Sequence, residues 1–155
     1  NDRMRRLEQI LRAERAGTGI FATVLSVALR PDGRFTAVRA GHPGMLLHGP
    51  GTVRWLEPPA GPALGLGAQQ WPQPELELPD GHGLLLLTDG LFEGHSGHGE
   101  QRLGEDGLLE VARSLATLPG AEFVDALISA AEQRAQSHGG IADDIAVLRV
   151  ERTRR

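Results

Sequence analysis

The sequence predicts an α+β fold built on a mostly antiparallel sheet. Three observations support this prediction: short strand-like segments fill the first half of the chain, two helical segments follow them, and one strand-like segment closes the chain. Strands grouped apart from helices are typical of α+β folds. At 155 residues the chain is long enough for one domain with its own core, so we expect residues 1–155 to form a single domain.

An amphipathic helix is predicted at the start of the chain. Four apolar residues recur there at helical spacing among arginines and glutamates, namely Met4, Leu7, Ile10 and Leu11. We expect this helix to end near Gly17 and to bury its apolar residues.

Two hairpins are predicted next, because runs of apolar and β-branched residues alternate with strong turn signals. The first hairpin turns at Pro31-Asp32-Gly33 and the second at Gly49-Pro50-Gly51. A loop rich in proline and glycine is expected over residues 58–67. The four predicted strands are Ile20–Leu29, Phe35–Ala40, Met45–Leu47 and Thr52–Trp55.

The second half of the chain is predicted to contain two more strands, two helices and a last strand. Glu75–Leu78 alternates polar and apolar residues, which indicates a half-buried strand, and the apolar run Leu84–Leu87 indicates a buried one. Apolar residues at helical spacing predict helices over Gly107–Leu118 and Ala121–Gln136. The predicted closing strand is Ile145–Val150.

Composition excludes several kinds of chemistry. The chain has no cysteine, which excludes disulfides, thiolate metal sites and cysteine nucleophiles. All 16 basic residues are arginine, so Schiff-base catalysis and a P-loop lysine are excluded as well. The net charge of −4 argues against nucleic-acid partners, and no apolar run is long enough to span a membrane. No signal peptide is present, and we expect a cytoplasmic protein.

Two aspartate sites flank predicted buried strands. Asp89 follows the apolar run in Thr88-Asp89-Gly90, and Asp143 and Asp144 precede the closing strand. A carboxylate at the end of an apolar strand is costly to desolvate unless a cation satisfies it. If the two strand ends are neighbours, their carboxylates would suit Mg²⁺ or Mn²⁺, which prefer oxygen ligands. The alternative is a turn-capping Asp89 and a solvated pair of aspartates at residues 143 and 144.

The histidines offer weaker candidates. His42 follows a predicted strand and could be a general acid, a metal ligand or a structural hydrogen bonder; the structural role is favoured because no carboxylate is nearby in sequence. His95 and His98 could form a zinc pair, although no third ligand is evident, and a solvated loop is the alternative. The remaining three are expected to be solvated, namely His48, His82 and His138.

Four segments, taken together, resemble the metal-dependent (PPM, or type 2C) serine/threonine protein phosphatases in their bacterial SpoIIE-like branch. They occur in the family's order and spread over nearly the whole chain, so together they are more specific than any one of them. The segments are Phe21–Leu25 with the turn Pro31-Asp32-Gly33, then Ala40-Gly41-His42-Pro43, then Leu86–Glu93, then Ala142–Leu148.

The resemblance implies an antiparallel β-sandwich flanked by helices, the αββα arrangement of PPM phosphatases. It also implies a site for two Mn²⁺ or Mg²⁺ ions, with Asp89 and Asp143 as ligands and Asp144 as the second member of the latter pair. The implied reaction is hydrolysis of phosphoserine or phosphothreonine by a metal-bound hydroxide, without a protein nucleophile. The implied substrate is a phosphorylated regulatory protein of the anti-anti-sigma type.

The chain departs from the family at one important place. The family's leading metal motif, an Asp-Gly-rich segment, should lie upstream of residue 1, so we expect an N-terminally truncated domain with an incomplete metal site. Residues 1–155 would be the C-terminal portion of a SpoIIE-like phosphatase domain. A milder difference is Ala146, where the family often has Thr or Ser. These departures leave a second hypothesis open, a non-catalytic module that binds a partner in a partner-switching pathway.

Overall fold

A computed structural model describes residues 2–14, 17–68, 70–94, 102–136, 140 and 143–153. Its helices and antiparallel strands confirm the α+β prediction. In chain order the elements are α1 (Asp2–Glu14), β1 (Val24–Leu29), β2 (Arg34–Ala40), β3 (Met45–Gly49), β4 (Thr52–Leu56), β5 (Ala60–Gly61), β6 (Glu75–Glu77), β7 (Gly83–Leu87), a 3-10 turn (Asp89–Leu91), α2 (Gly104–Ser114), α3 (Gly120–Gln136) and β8 (Val147–Glu151).

The chain divides into two compact units. The first unit contains Asn1–Gly44 and Glu57–Leu78, and the second contains Met45–Leu56 and Pro79–Arg155. No helix among the described residues has the length and apolar character needed to cross a membrane.

The first unit consists of α1 and a sheet with β2 at its centre. Strand β1 pairs antiparallel along one side of β2, as the first predicted hairpin requires. The other side of β2 is shared by β6, which is antiparallel, and by the two-residue β5, which is parallel. Strand β5 lies inside the predicted loop 58–67, where its backbone pairs with Arg39 and Ala40.

Helix α1 buries only part of the stripe that its apolar residues form, namely Met4 and part of Leu11. Met4 and Glu8 are its buried residues, whereas Leu7 and Ile10 are 38% and 58% exposed. The prediction that the apolar stripe would be buried is therefore wrong for these two residues. The physical reason is that a buried polar contact of Glu8 sets the orientation of the helix.

That contact joins α1 to a glycine-containing loop. The carboxylate of Glu8 accepts hydrogen bonds from the backbone N–H groups of Gly65, at 2.5 Å, and Gly67, at 2.8 Å. Both glycines have positive φ angles, which allows their N–H groups to point toward one anion. The core of the first unit lies beside this contact and contains Met4, Val38, Ala40, Leu64 and Trp71.

The second unit is a four-stranded antiparallel sheet in the order β4-β3-β7-β8, with α2 and α3 packed against it. Strand β7 is buried almost throughout, because it is central in the sheet and covered by the helices. The apolar faces of α2 and α3 contribute Leu108, Ala112, Phe123 and Leu127 to the core. This arrangement places the end of β7 beside the beginning of β8.

Candidate metal centre

The end of β7 lies next to the beginning of β8. The two strands are antiparallel, and their last paired residues at this edge are Leu87 and Val147. Asp89 begins the 3-10 turn that follows β7, and Asp143 and Asp144 lie in the segment that leads into β8. The fold therefore brings the two predicted aspartate sites to the same edge of one sheet.

Three hydrogen bonds hold these chain ends together beyond the last strand pair. The backbone N–H of Thr88 donates to the carbonyl of Ala146 at 3.0 Å. The Thr88 hydroxyl donates to the carbonyl of Asp144 at 3.0 Å and accepts from the backbone N–H of Ala146 at 2.9 Å. These bonds explain why β8 starts at Val147 rather than at the predicted Ile145, since a side chain replaces strand pairing there.

Gly90 permits direct contact between the two backbones. A Cβ atom at this position would lie 2.5 Å from the carbonyl oxygen of Asp144 and 2.9 Å from that of Asp143. Real Cβ atoms essentially never come that close to an oxygen, so any other residue would force the chains apart. The absence of a side chain at Gly90 therefore sets how near Asp89 can be to the opposite segment.

The three carboxylates differ in their surroundings. Asp89 is half-buried, and no described residue donates a hydrogen bond to its carboxylate or forms an ion pair with it. Asp143 and Asp144 are exposed, and Oδ1 of Asp143 accepts the backbone N–H of Asp144 at 2.7 Å. Arg134 of α3 lines the same shallow pocket as Gly90 and Ile145, which adds a positive charge beside the site.

The donors at this edge are oxygen atoms, which suit a hard divalent cation such as Mn²⁺ or Mg²⁺. Within the described ranges, however, no three His, Cys, Asp or Glu side chains are close enough together to hold a metal ion. Asp89, Asp143 and Asp144 thus lie at one edge of the sheet without forming a three-ligand group among the described residues.

The histidines lie elsewhere. Nδ1 of His42 is 2.9 Å from the carbonyl of Pro43, and Nδ1 of His82 is 3.1 Å from that of Asp80. His48 is only 4% exposed, so the prediction that it is solvated is wrong: β3 is buried along its whole length and takes His48 into the core. The other three histidines lie outside the described residues, namely His95, His98 and His138.

Sequence reasoning missed the roles of Thr88 and Gly90. Both residues flank Asp89 directly, so the signal was present in the tripeptide. What the sequence could not show is that their partners are backbone groups near the far end of the chain, since Thr88 and Asp144 are 56 positions apart.

Comparisons with known proteins identify the family and the fold of the chain. The family model described as "Stage II sporulation protein E (SpoIIE)" matches residues 1–153. The crystal structure of the RsbU and RsbW domains of Rv1364c from Mycobacterium tuberculosis is similar to the chain with a TM-score of 0.71 at 28% identity, over 95% of this chain and 41% of that one. No curated protein matches the chain in sequence.

Two further structures share the fold at lower identity. The SiaA-PP2C domain of Pseudomonas aeruginosa has a TM-score of 0.79 at 20% identity, over 96% of this chain and 58% of that one. The catalytic domain of the serine/threonine protein phosphatase PstP was solved in complex with 2 manganese ions. It has a TM-score of 0.62 at 17% identity, over 93% of this chain and 64% of that one. The chain thus spans less than two thirds of each of these structures.

Proposed function

The chain belongs to the SpoIIE family of PP2C-type phosphatases, and we propose that it is the C-terminal portion of a domain that removes phosphate from phosphoserine or phosphothreonine on a regulatory protein. In this proposal Asp89 and Asp143 are ligands of Mn²⁺ or Mg²⁺, and Asp144 assists as the neighbour of Asp143. The substrate class follows from the family resemblance, in which the phosphoprotein is a regulator of the anti-anti-sigma type.

The observation that supports the metal site is the meeting of the two aspartate segments at one sheet edge. Each segment alone would be an ordinary turn, but Thr88 and Gly90 hold them in direct backbone contact. Two anionic segments held this close repel each other unless a cation lies between them. The PstP structure with 2 manganese ions supports this choice of cation.

The chemistry divides between the metal and the protein. When bound, divalent ions of this kind activate water as a nucleophile and offset the negative charge of a phosphoryl group. The residues of the chain orient the site: the Asp89 carboxylate faces no competing described donor, and Gly90 and Thr88 keep the opposite segment in place.

A second candidate function is a non-catalytic module that binds the same kind of partner without hydrolysis. It is favoured by the finding that no three ligating side chains cluster in the part of the chain that the structure describes. On this view the fold is kept for recognition, and the pair of aspartate segments is a remnant of a metal site.

The test is Mn²⁺-dependent hydrolysis of a small phosphate ester and of a phosphorylated regulator. It should use the 155-residue chain and a chain extended by an N-terminal segment that carries the family's leading metal motif. We expect activity in the extended chain, loss of that activity in Asp89→Asn and Asp143→Asn, and full activity in the control Asp125→Asn, which changes an exposed residue of α3. No hydrolysis by the extended chain, combined with binding of the phosphoprotein, would favour the second candidate.

A further inference from the structure

We propose that Thr88 is a positioning residue for the metal site: its hydroxyl group fixes the distance between Asp89 and the Asp143–Asp144 segment and thereby tunes the affinity for the divalent ion. This inference rests on the proposed function, because it takes Asp89 and Asp143 as the ligands. It adds a residue that does not itself contact the ion.

The Thr88 side chain makes both of its hydrogen bonds to one segment. Its hydroxyl donates to the carbonyl of Asp144 at 3.0 Å and accepts from the N–H of Ala146 at 2.9 Å. A hydroxyl has one proton to donate, so the donation to Asp144 commits its orientation. Both partners lie on the approach to β8, next to the proposed ligands Asp143 and Asp144.

These bonds are important because Thr88 lies directly after the last residue of β7 that pairs with β8. Regular pairing of β7 with β8 ends at Leu87 and Val147, and beyond this pair each chain turns into a loop. Only the backbone bond from Thr88 to Ala146 and the two hydroxyl bonds continue the connection among the described residues. Without the hydroxyl, the segment that carries Asp143 and Asp144 would be tied to β7 by one bond.

Gly90 is an independent observation in favour of the same inference. Its missing side chain lets the backbone after Asp89 lie against the carbonyls of Asp143 and Asp144. The residue before Asp89 therefore bonds the opposite segment, and the residue after Asp89 makes room for it. Both neighbours of the proposed ligand act on the distance between the two aspartate sites.

The expected consequence is on metal affinity. Negatively charged segments separate when no cation is present, unless the backbone holds them. If Thr88 holds the two segments together, the ligands are already in place before the ion binds. Without the hydroxyl, the segments must first be ordered, and this loss of conformational entropy weakens binding. Residues that orient metal ligands typically contribute about 10–100-fold to metal affinity.

The test compares Mn²⁺ binding by isothermal titration calorimetry in the 155-residue chain and in Thr88→Val, which keeps the shape of the side chain but removes the hydroxyl. We expect the dissociation constant to rise about 10-fold or more in Thr88→Val, and to stay near the parental value in Thr88→Ser, which keeps the hydroxyl. Thr52→Val, at an exposed position of β4, is the matched control and should bind as the parent does.

Hydrogen exchange of the Ala146 amide is the second readout. We expect faster exchange in Thr88→Val and parental exchange in Thr88→Ser, because this N–H donates to the hydroxyl. Where Thr88→Val does not fold, Thr88→Ala, which removes the hydroxyl together with the methyl branch, takes its place in both measurements.

The outcomes separate the inference from the proposed function. A folded Thr88→Val chain with parental Mn²⁺ affinity would overturn the role of Thr88 while leaving the metal site intact. Parental Mn²⁺ affinity in Asp89→Asn would overturn the proposed ligands and this inference with them. If the 155-residue chain binds no Mn²⁺, the same titrations are made on the chain extended by the N-terminal segment, and no binding there would overturn both. Equal losses of affinity in Thr88→Ser and Thr88→Val would also overturn it, since the hydroxyl would then not be the cause.

Discussion

The imidazole ring of His48 stacks on the ring of Phe123, with the ring centroids 3.9 Å apart and the planes inclined by 5°. Nε2 of His48 lies 3.3 Å from the carbonyl of Ala116, which requires a proton on Nε2. Nδ1 is buried and has no hydrogen-bond partner in the described part of the chain. A second proton on this ring would therefore be buried without an acceptor. Burial lowers the pKa of His48 below its usual value of 6.5, and the positive charge of Arg149 lowers it further.

The first prediction is that the second unit loses stability in mild acid through His48. Because the folded-state pKa is lowered, the unfolded chain takes up a proton below pH 6.5 that the folded chain does not. The free energy of unfolding should thus be independent of this group above pH 6.5 and should fall below it by up to about 1.4 kcal/mol per pH unit, until the folded-state pKa is reached.

The measurement is urea unfolding at a series of pH values between about 5 and 8, the range in which histidine titrates. His48→Gln should remove this part of the pH dependence, because an amide can donate to Ala116 but does not titrate. His42→Gln changes a half-buried histidine of the first unit and serves as the control. An unchanged pH dependence in His48→Gln would contradict the prediction.

The second prediction concerns the buried carboxylate of Glu8. Glu8→Ala should destabilise the first unit by about 2–3 kcal/mol, since the N–H groups of Gly65 and Gly67 lose their charged acceptor. Urea unfolding followed by the fluorescence of the buried Trp71, in a Trp55→Phe background, reports on this unit. Glu14→Ala, at an exposed position of the same helix, is the control, and equal effects of the two changes would show that Glu8 has no special role.

The third prediction is that Gly90 does not tolerate a side chain. Gly90→Ala places a methyl group against backbone oxygens of Asp143 and Asp144, and we expect a loss of about 1–3 kcal/mol from overpacking. Mn²⁺ binding should weaken in the same variant, because the two segments move apart. Gly19→Ala is the control, since its Cβ would have no atom within 4 Å. Thermal unfolding with and without Mn²⁺ measures both effects.

The fourth prediction is that Mn²⁺ stabilises the folded chain. An ion present at 100 times its dissociation constant adds about 2.7 kcal/mol, provided that it binds the folded state alone. Differential scanning calorimetry should show a higher unfolding temperature with Mn²⁺ and a return to the starting value with excess chelator. Asp89→Asn should show no such rise, while Asp125→Asn should behave as the parent does; a rise of the same size in both variants would place the ion elsewhere.

Most secondary structure could be predicted from the sequence, because local signals determine it. The turn at Pro31-Asp32-Gly33 and the apolar run before Asp89 each mark their elements within a few residues. Helix α1 shows where such signals fail. Its apolar residues do not mark Glu8 as a buried position, since the acceptor role of Glu8 depends on glycines almost 60 positions away.

The candidate site, like the fold, could be predicted only where the signal is local. Asp89, Asp143 and Asp144 could be selected because carboxylates at the ends of apolar strands are unusual. Whether they meet at one edge could not be decided from the sequence, because this depends on the register between β7 and β8. The contribution of Thr88 could not be predicted, because hydroxyl bonds to distant backbone groups leave no pattern in a single sequence.

The order of strands in the second unit has a consequence for biosynthesis. Strand β7 lies between β3 and β8, yet β8 is made last, after both α2 and α3. While the ribosome is still adding those helices, the leucine-rich β7 has a neighbour on one side only, and an open strand edge of this kind recruits other nascent chains. Release of a chain that stops short of Val147 should therefore yield aggregates, because β8 is the strand that covers this edge of β7.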